Sequence, residues 1–385
     1  MNEFAVTDLI FRDQTYRAAA LMTDGRLTEL RAERAGLASR TGCIYRGIVE
    51  TDARQIGGCF VLVGRERMFL KAGRAEREAK PVYVSRPVPV QITREASGRK
   101  EACVTRNLSL TGRLLVLYGD PGPAAFSKKL TEEEKRVTGK WLTDAGIGPE
   151  FKVLVRTAAA GAGKRELLSE YGALSEKMRE ILLRFESAPA GKLLYAPDPF
   201  YVTMCRDLRT PPDRVLTDIP AAAEKLSGVR PGIPAECTDA AGPGLSLADR
   251  FGLPRMLEKL TQKMVWLKSG AFLVIEQTEA FVSIDVNTGR STKGRIPEET
   301  YRRVNLEAAE EIAAQLRLRN LSGMILVDFI SLRNPDHKDE LLHVMRKHLR
   351  RDMVKAEAVD ITPLGIMEIV REKREKPLAE VLGIC

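Results

Sequence analysis

The sequence predicts an α+β protein built from several subdomains, on three observations. Short strand-like runs, separated by Gly, Pro and polar turns, fill the stretch up to residue 110. Amphipathic helical patterns follow at about Lys164–Phe185 and from Pro297 to about Arg319. Around the second helix, two apolar runs each end on an aspartate: Phe281 to Ile284 run into Asp285, and Met324 to Val327 run into Asp328. A length of 385 residues is enough for two or three domains.

Composition narrows the class. A hydrophobic content of 44% is ordinary for a globular protein, and no apolar run approaches the roughly 18 residues of a membrane span. The start, MNEFAVTDLIFRD, is acidic and interrupted, unlike a signal peptide. A cytoplasmic protein with no membrane partner is expected. The net charge of +9, from 61 Lys+Arg against 52 Asp+Glu, suits a phosphate-rich partner, although many cytoplasmic enzymes are mildly basic. None of the six cysteines forms a CxxC pair, so neither a zinc ribbon nor a redox dithiol is indicated. Of the three histidines, His343 and His348 are five apart, off the i,i+4 spacing of a zinc helix, and the third is His337. This scarcity favours carboxylate chemistry.

Taken in order, residues 1–41 alternate apolar and polar around the turn TDGR, as in a β-meander. Residues 42–110 contain CIYRGIVETDA, GGCFVLVG, RMFLKAG, VPVQITREAS and EACVTRNLSL. Five such strands suit an OB-fold barrel, which binds single-stranded nucleic acid by aromatic stacking in a basic groove. Residues 111–200 carry a strand, Lys152–Val155, running into Arg156 and Thr157 and then a small-residue loop and a helix. GAGKRE is not a phosphate-binding P-loop, because Ala158 and Arg165 stand where that motif needs Gly and Ser or Thr. Residues 201–260 mix a strand or helix start at YVTMCRDL, a strand and a short helix opened by Pro220, and loop chemistry before a further helix.

Residues 261–376 read as a hairpin turning at Thr278–Ala280, a long helix, a strand ending at Asp328 and a second helix over about Asp336–Arg351. Glu298 and Glu299 suit the first helix's positive end, Arg317 and Arg319 its negative end. Ala308, Ile312 and Leu316 repeat as a core face. Arg302 and Arg303 suit either an RNA-facing or a solvated surface. The helix crosses between the two aspartate strands, so these can lie side by side. Asp285 and Asn287 point to one face, Val286 to the other. Two carboxylates and an amide oxygen suit Mg²⁺, which takes one or two protein carboxylates and keeps several waters. An Asp at a strand end is also a common turn former or helix cap, so spacing alone leaves both readings open.

SIDVNTG and LVDFI, with the block EETYRRVNLEAAEEIAAQLRLRNLSGMILVDFI, resemble the ribonuclease E/G family, whose catalytic residues are an Asp-x-Asn on one strand and an Asp on a later one. The resemblance implies an RNase H-like structural subdomain (1–41 and 201–260) with an inserted OB-fold RNA-binding subdomain (42–110) and a 5′-sensor-like subdomain (111–200), followed by a DNase I-like catalytic subdomain (261–385). It implies a Mg²⁺-dependent endoribonuclease that cuts single-stranded RNA in RNA processing or decay, including rRNA processing. Asp285 and Asp328 would hold the metal, and Asn287 would orient them or contact the scissile phosphate. Phe60 and Phe69 fall on the family's stacking aromatics and Lys100 near a basic RNA contact. Arg156 and Thr157 fall on the pocket that senses an RNA 5′ monophosphate. Lys355 stands where that pocket's pattern has Arg; it keeps the charge and loses the fork geometry, so weaker sensing is expected.

Two departures from the family matter. The segment AGRAEREAKPVYVSRPVPV is short, which predicts a trimmed or incomplete barrel. Family members usually continue into a zinc-binding CPxC pair and a small dimerisation domain, whereas this sequence reaches AEVLGIC. Cys385 alone cannot supply a shared four-sulfur site, so no structural zinc and a monomer or weak homo-oligomer are expected. An RNA-binding or ribosome-associated protein of the same fold with little nuclease activity is the alternative reading. A metal phosphodiesterase acting on DNA or a small nucleotide is a third.

Overall fold

The alternating N-terminal stretch folds as three antiparallel strands, Asn2–Phe11, Gln14–Thr23 and Arg26–Arg34. The structure, a computed structural model, describes residues 1–37, 39–53, 55, 57–71, 83–96, 101–230, 232–238, 246–289 and 298–384. The chain divides into two compact units, one of Met1–Ala38 with Pro199–Cys385 and one of Ser39–Asp198. No helix among the described residues is long and apolar enough to cross a membrane.

In the first unit the meander is extended by Arg214–Thr217 and Ala235–Cys237, which lie parallel to Asn2–Phe11. Helices cover both faces. Phe4, Val6, Ala19 and Leu21 pack under Tyr201, Val202 and Met204 on one side. Leu9, Phe11, Ala18 and Ala20 pack under Leu253, Leu257 and Leu378 on the other. This double coverage buries successive residues, Phe4 to Thr7 and Ala18 to Met22, where the alternating pattern predicted one buried face. YVTMCRDL, ambiguous in sequence, is part of the helix Phe200–Asp207.

The same unit holds a second, six-stranded sheet in the order Met264–Trp266, Phe272–Gln277, Val282–Asn287, Gly323–Asp328, Ile366–Arg371, Ala356–Ile361. Among the described residues only one face carries helices, Glu298–Leu318 and Pro335–Leu349, packed on Leu273, Ile284, Ile325, Val327 and Ile369. Burial therefore alternates along each strand, and every second side chain stands on an open face. Small Ala308, Ala309 and Ala313 bring the first helix close to the sheet. The chain before Glu298, including Pro297, lies outside the described residues.

The second unit contains a closed five-stranded barrel. Ile44–Ala53, Gly58–Val63, Glu66–Lys71, Ala102–Thr105 and Pro87–Arg94 pair in turn, and Ile44–Ala53 also pairs with Pro87–Arg94. The expectation of an incomplete barrel is thereby corrected, while residues 72–82 of the short segment lie outside the described residues. Closure depends on one strand reaching both neighbours, and Gly47 permits it: a Cβ there would come within 2.4 Å of Val61 Cγ1. Ser109–Thr111, Leu115–Tyr118, Val153–Val155 and Ala125–Phe126 form a separate four-stranded sheet. It is backed by the helices Glu132–Asp144 and Lys164–Ser187 through Leu142, Leu167 and Met178.

Candidate active site

On the open face of the six-stranded sheet, Val282–Asn287 and Gly323–Asp328 run parallel with Asp285 directly opposite Asp328. Their backbones are one strand spacing apart, about 4.8 Å. Both carboxylates are exposed, while Ile284, Val286 and Val327 are buried beneath them. Asn287 Nδ2 donates to Asp285 Oδ2 at 2.7 Å, which fixes that carboxylate and leaves the amide oxygen out of the bond. The three residues that the sequence singled out for chemistry are thus gathered on one face, at the ends of two neighbouring strands.

The surrounding chain holds these strand ends in place. Gly289 has φ +72°, and a Cβ there would lie 2.1 Å from the Gly270 carbonyl oxygen, so the turn leaving Asn287 packs directly on the preceding hairpin. Asn305, fully buried on the crossover helix, pairs with the backbone of Ile330 in both directions: its Nδ2 donates to the carbonyl at 2.7 Å and its Oδ1 accepts from N–H at 3.1 Å. That clasp pins the chain just past Asp328. Glu298 accepts from the backbone N–H groups of Arg333 and Asn334, which hold its carboxyl below the usual range. Arg302 is engaged by Glu340 and Glu299 and is not held out toward a ligand.

The donor set of the acidic pair is all oxygen. Among the described residues no cluster of three or more His, Cys, Asp or Glu stands ready for a metal. Two carboxylates open to solvent match a hard, partly hydrated cation such as Mg²⁺ rather than the His- and Cys-rich set of zinc. Among the described cysteines, Cys43, Cys59 and Cys205 are buried, and burial pushes the Cys205 thiol up to about 11, whereas Cys237 is exposed.

In the barrel, Phe60 and Phe69 are cross-strand partners on the outer surface, with ring centroids 5.4 Å apart. Their neighbours Cys59, Val61, Met68 and Leu70 fill the interior. The Arg67 guanidinium sits 3.7 Å over the Phe60 ring, a cation–π contact that sequence reading did not anticipate. Lys100 lies outside the described residues. In the four-stranded region, Arg156 Nη1 donates to the carbonyls of Gly112 and Arg113, at 2.5 and 3.4 Å, so this guanidinium braces a loop. Thr157 is exposed, with its hydroxyl 2.9 Å from that of Ser127. Lys355 belongs to the other unit and is exposed; its carbonyl accepts from Glu372 N–H, beside a buried Arg371–Asp352 pair at 2.8 Å.

One aromatic pair near the acidic residues also escaped sequence reading. Trp266 faces Phe272 across the hairpin, with centroids 5.2 Å apart and planes at 53°, and Phe272 in turn faces Asn287. The period-2 pattern of Met264, Val265, Trp266 and Leu267 carries the signal, since it puts Trp266 on the face opposite Leu267.

Comparison with known proteins adds a second line. The family profile described as Ribonuclease E/G family matches residues 109–374. Ribonuclease G of Haemophilus influenzae is 30% identical over 396 residues, spanning 94% of this chain and 78% of that protein. Ribonuclease G of Escherichia coli is 28% identical over 386 residues, spanning 79% of that protein. Ribonuclease E of Haemophilus influenzae is 31% identical over 382 residues, and this chain spans 41% of its length.

Proposed function

This chain belongs to the ribonuclease E/G family, and from that premise we propose that it is an endoribonuclease that cuts single-stranded RNA at the Asp285–Asp328 pair with Mg²⁺ as cofactor. The observation that carries the reading is the direct register of the two aspartates on an open face, with Asn287 bonded to one of them. Asp285 and Asp328 would hold the ion. When bound, it supplies positive charge at the phosphate and lowers the pKa of a coordinated water. Asn287 holds the Asp285 carboxylate in a single orientation. The exposed faces of both carboxylates let a flexible strand approach, and the rigid sheet beneath fixes their separation. Products ending in 5′ phosphate and 3′ hydroxyl are expected.

The remaining subdomain assignments follow the same reading. The three antiparallel strands extended by two parallel ones support an RNase H-like structural subdomain. The closed barrel with paired outer aromatics supports an OB-fold RNA-binding subdomain. The one-sided six-stranded sheet supports a DNase I-like catalytic subdomain. The 5′-sensor-like reading of residues 111–200 rests on Arg156, whose Nη1 donates to the Gly112 and Arg113 carbonyls, and on the exposed Thr157, while Lys355 lies in the other unit.

The test is cleavage of a 5′-monophosphorylated single-stranded RNA, and its 5′-hydroxyl counterpart, with Mg²⁺ and with EDTA. Cutting that requires Mg²⁺ and is lost in Asp285→Asn and Asp328→Asn, with RNA binding retained, is expected. Binding with no metal-dependent products would instead favour the RNA-binding or ribosome-associated alternative.

A further inference from the structure

We propose that Trp266, buttressed by Phe272, is a nucleobase-stacking subsite that positions the nucleotide next to the scissile phosphate. The proposal rests on the nuclease reading of the Asp285–Asp328 pair. Trp266, Phe272 and Asn287 are direct cross-strand partners in succession, so all three stand on the same face as Asp285 and Asp328. Trp266 is two strand spacings, about 10 Å, from Asn287. A base carried by the ribose beside a phosphate at the acidic pair spans that gap.

The exposure of the indole is the second observation. Trp266 is 64% exposed, whereas tryptophan is mostly buried in folded proteins. The half-buried Phe272 ring supports one side of it at a tilt. Among the described residues Phe272 is the one ring against the indole, whose remaining surface is largely exposed, and a stacked base requires such exposure.

The chemistry of the face selects RNA over a protein partner. Asp285, Asp328, Ser283, Glu276 and Glu368 share it with the aromatic pair and separate that pair from the exposed Met324 and Val370 farther along the sheet. The core of a protein interface is depleted of charge. A base needs only one ring's width of apolar surface, with the neutral Asn287 and Ser283 alongside to hydrogen-bond its sugar, and Glu276 is neutralised by Lys263 at 2.8 Å. Stacking tolerates any base, so this subsite fixes position along the strand rather than sequence.

The experiment uses the full chain and a single-stranded RNA with one cut site. Trp266→Ala is expected to lower kcat/KM about 5- to 150-fold, with Trp266→Phe retaining most of the rate. An abasic ribose is then placed in turn at each position flanking the cut. At one position it should reproduce the loss in the parent protein and add nothing in Trp266→Ala, a coupling that a merely structural role would not produce. Trp141→Phe leaves Trp266 as the sole tryptophan. RNA binding in EDTA should quench its fluorescence, and less so with the abasic RNA.

Unchanged cleavage by Trp266→Ala, losses that add at every position, or a change in solution mass without abasic coupling would each overturn the subsite. In those cases Mg²⁺-dependent cutting that Asp285→Asn abolishes would keep the nuclease reading. Quenching with abasic coupling but no metal-dependent cutting would sink the nuclease reading and leave a base-stacking site.

Discussion

Asp285 and Asp328 are direct register partners on parallel strands, their side chains level on a face that no helix among the described residues covers. Groups that act on one ion behave as a unit. Each single Asn variant is expected to lose at least about 10³-fold in cleavage rate, and the double variant no more than either. Single-turnover kinetics on all three proteins checks this; losses that multiply in the double variant would contradict a shared ion.

Asn287 touches the Asp285 carboxylate through its amide nitrogen. Removing a group that orients a metal ligand typically costs 10–100-fold in metal affinity or activity. Asn287→Ala should therefore raise the Mg²⁺ concentration for half-maximal cleavage by about 10–100-fold, with partial recovery at high Mg²⁺. A Mg²⁺ titration at saturating RNA reads it directly.

Gly289 is a left-handed residue packed on the Gly270 carbonyl. Any side chain there meets both backbone strain and a collision. Gly289→Ala should cost about 1–3 kcal/mol in denaturant unfolding and reduce cleavage as Asn287 shifts. Gly25, also at positive φ but with open space around it, is the control: Gly25→Ala should lower stability without the same loss of activity.

Asn305 supplies both a donor and an acceptor to Ile330 from a fully buried position. Asn305→Leu keeps the volume and strands two backbone groups. A loss of about 2–6 kcal/mol is expected, since each unmet buried group costs about 1–3 kcal/mol. Hydrogen exchange should show early opening at Ile330, immediately beyond Asp328.

Glu29 gives the fold a pH dependence. Burial pushes its carboxyl up from 4.5 to about 7, against the opposing pull of Arg317, 3.4 Å away. The folded state then binds this proton more tightly than the unfolded chain does. Stability should fall as pH rises from about 4.5 to about 7, by roughly 3 kcal/mol from this group, and level off above. Glu29→Gln should flatten that slope, as measured by urea unfolding across the range.

Much of the site was legible because strand periodicity is short-range. Alternation placed Asp285 and Asn287 together, and an apolar run ending at Asp328 marked the second carboxylate. The register that sets Asp285 against Asp328 was not legible, because it depends on how the crossover helix seats its alanines on the sheet. Barrel closure was misjudged from the short segment before Pro87, since it is set by the long Ile44–Ala53 strand and the missing side chain at Gly47. The orientation of Arg156 toward Gly112 is a loop contact between distant residues, which no local pattern encodes.

The Gly323–Asp328 strand is bordered on one side by Val282–Asn287 and on the other by Ile366–Arg371. Its seat is therefore incomplete until synthesis has passed Arg371. An unfinished chain carries Asp285 long before it carries the scaffold that turns two aspartates into a centre. Timing is thus written into topology: Asp328 gains its second neighbouring strand only once residues 366–371 are made.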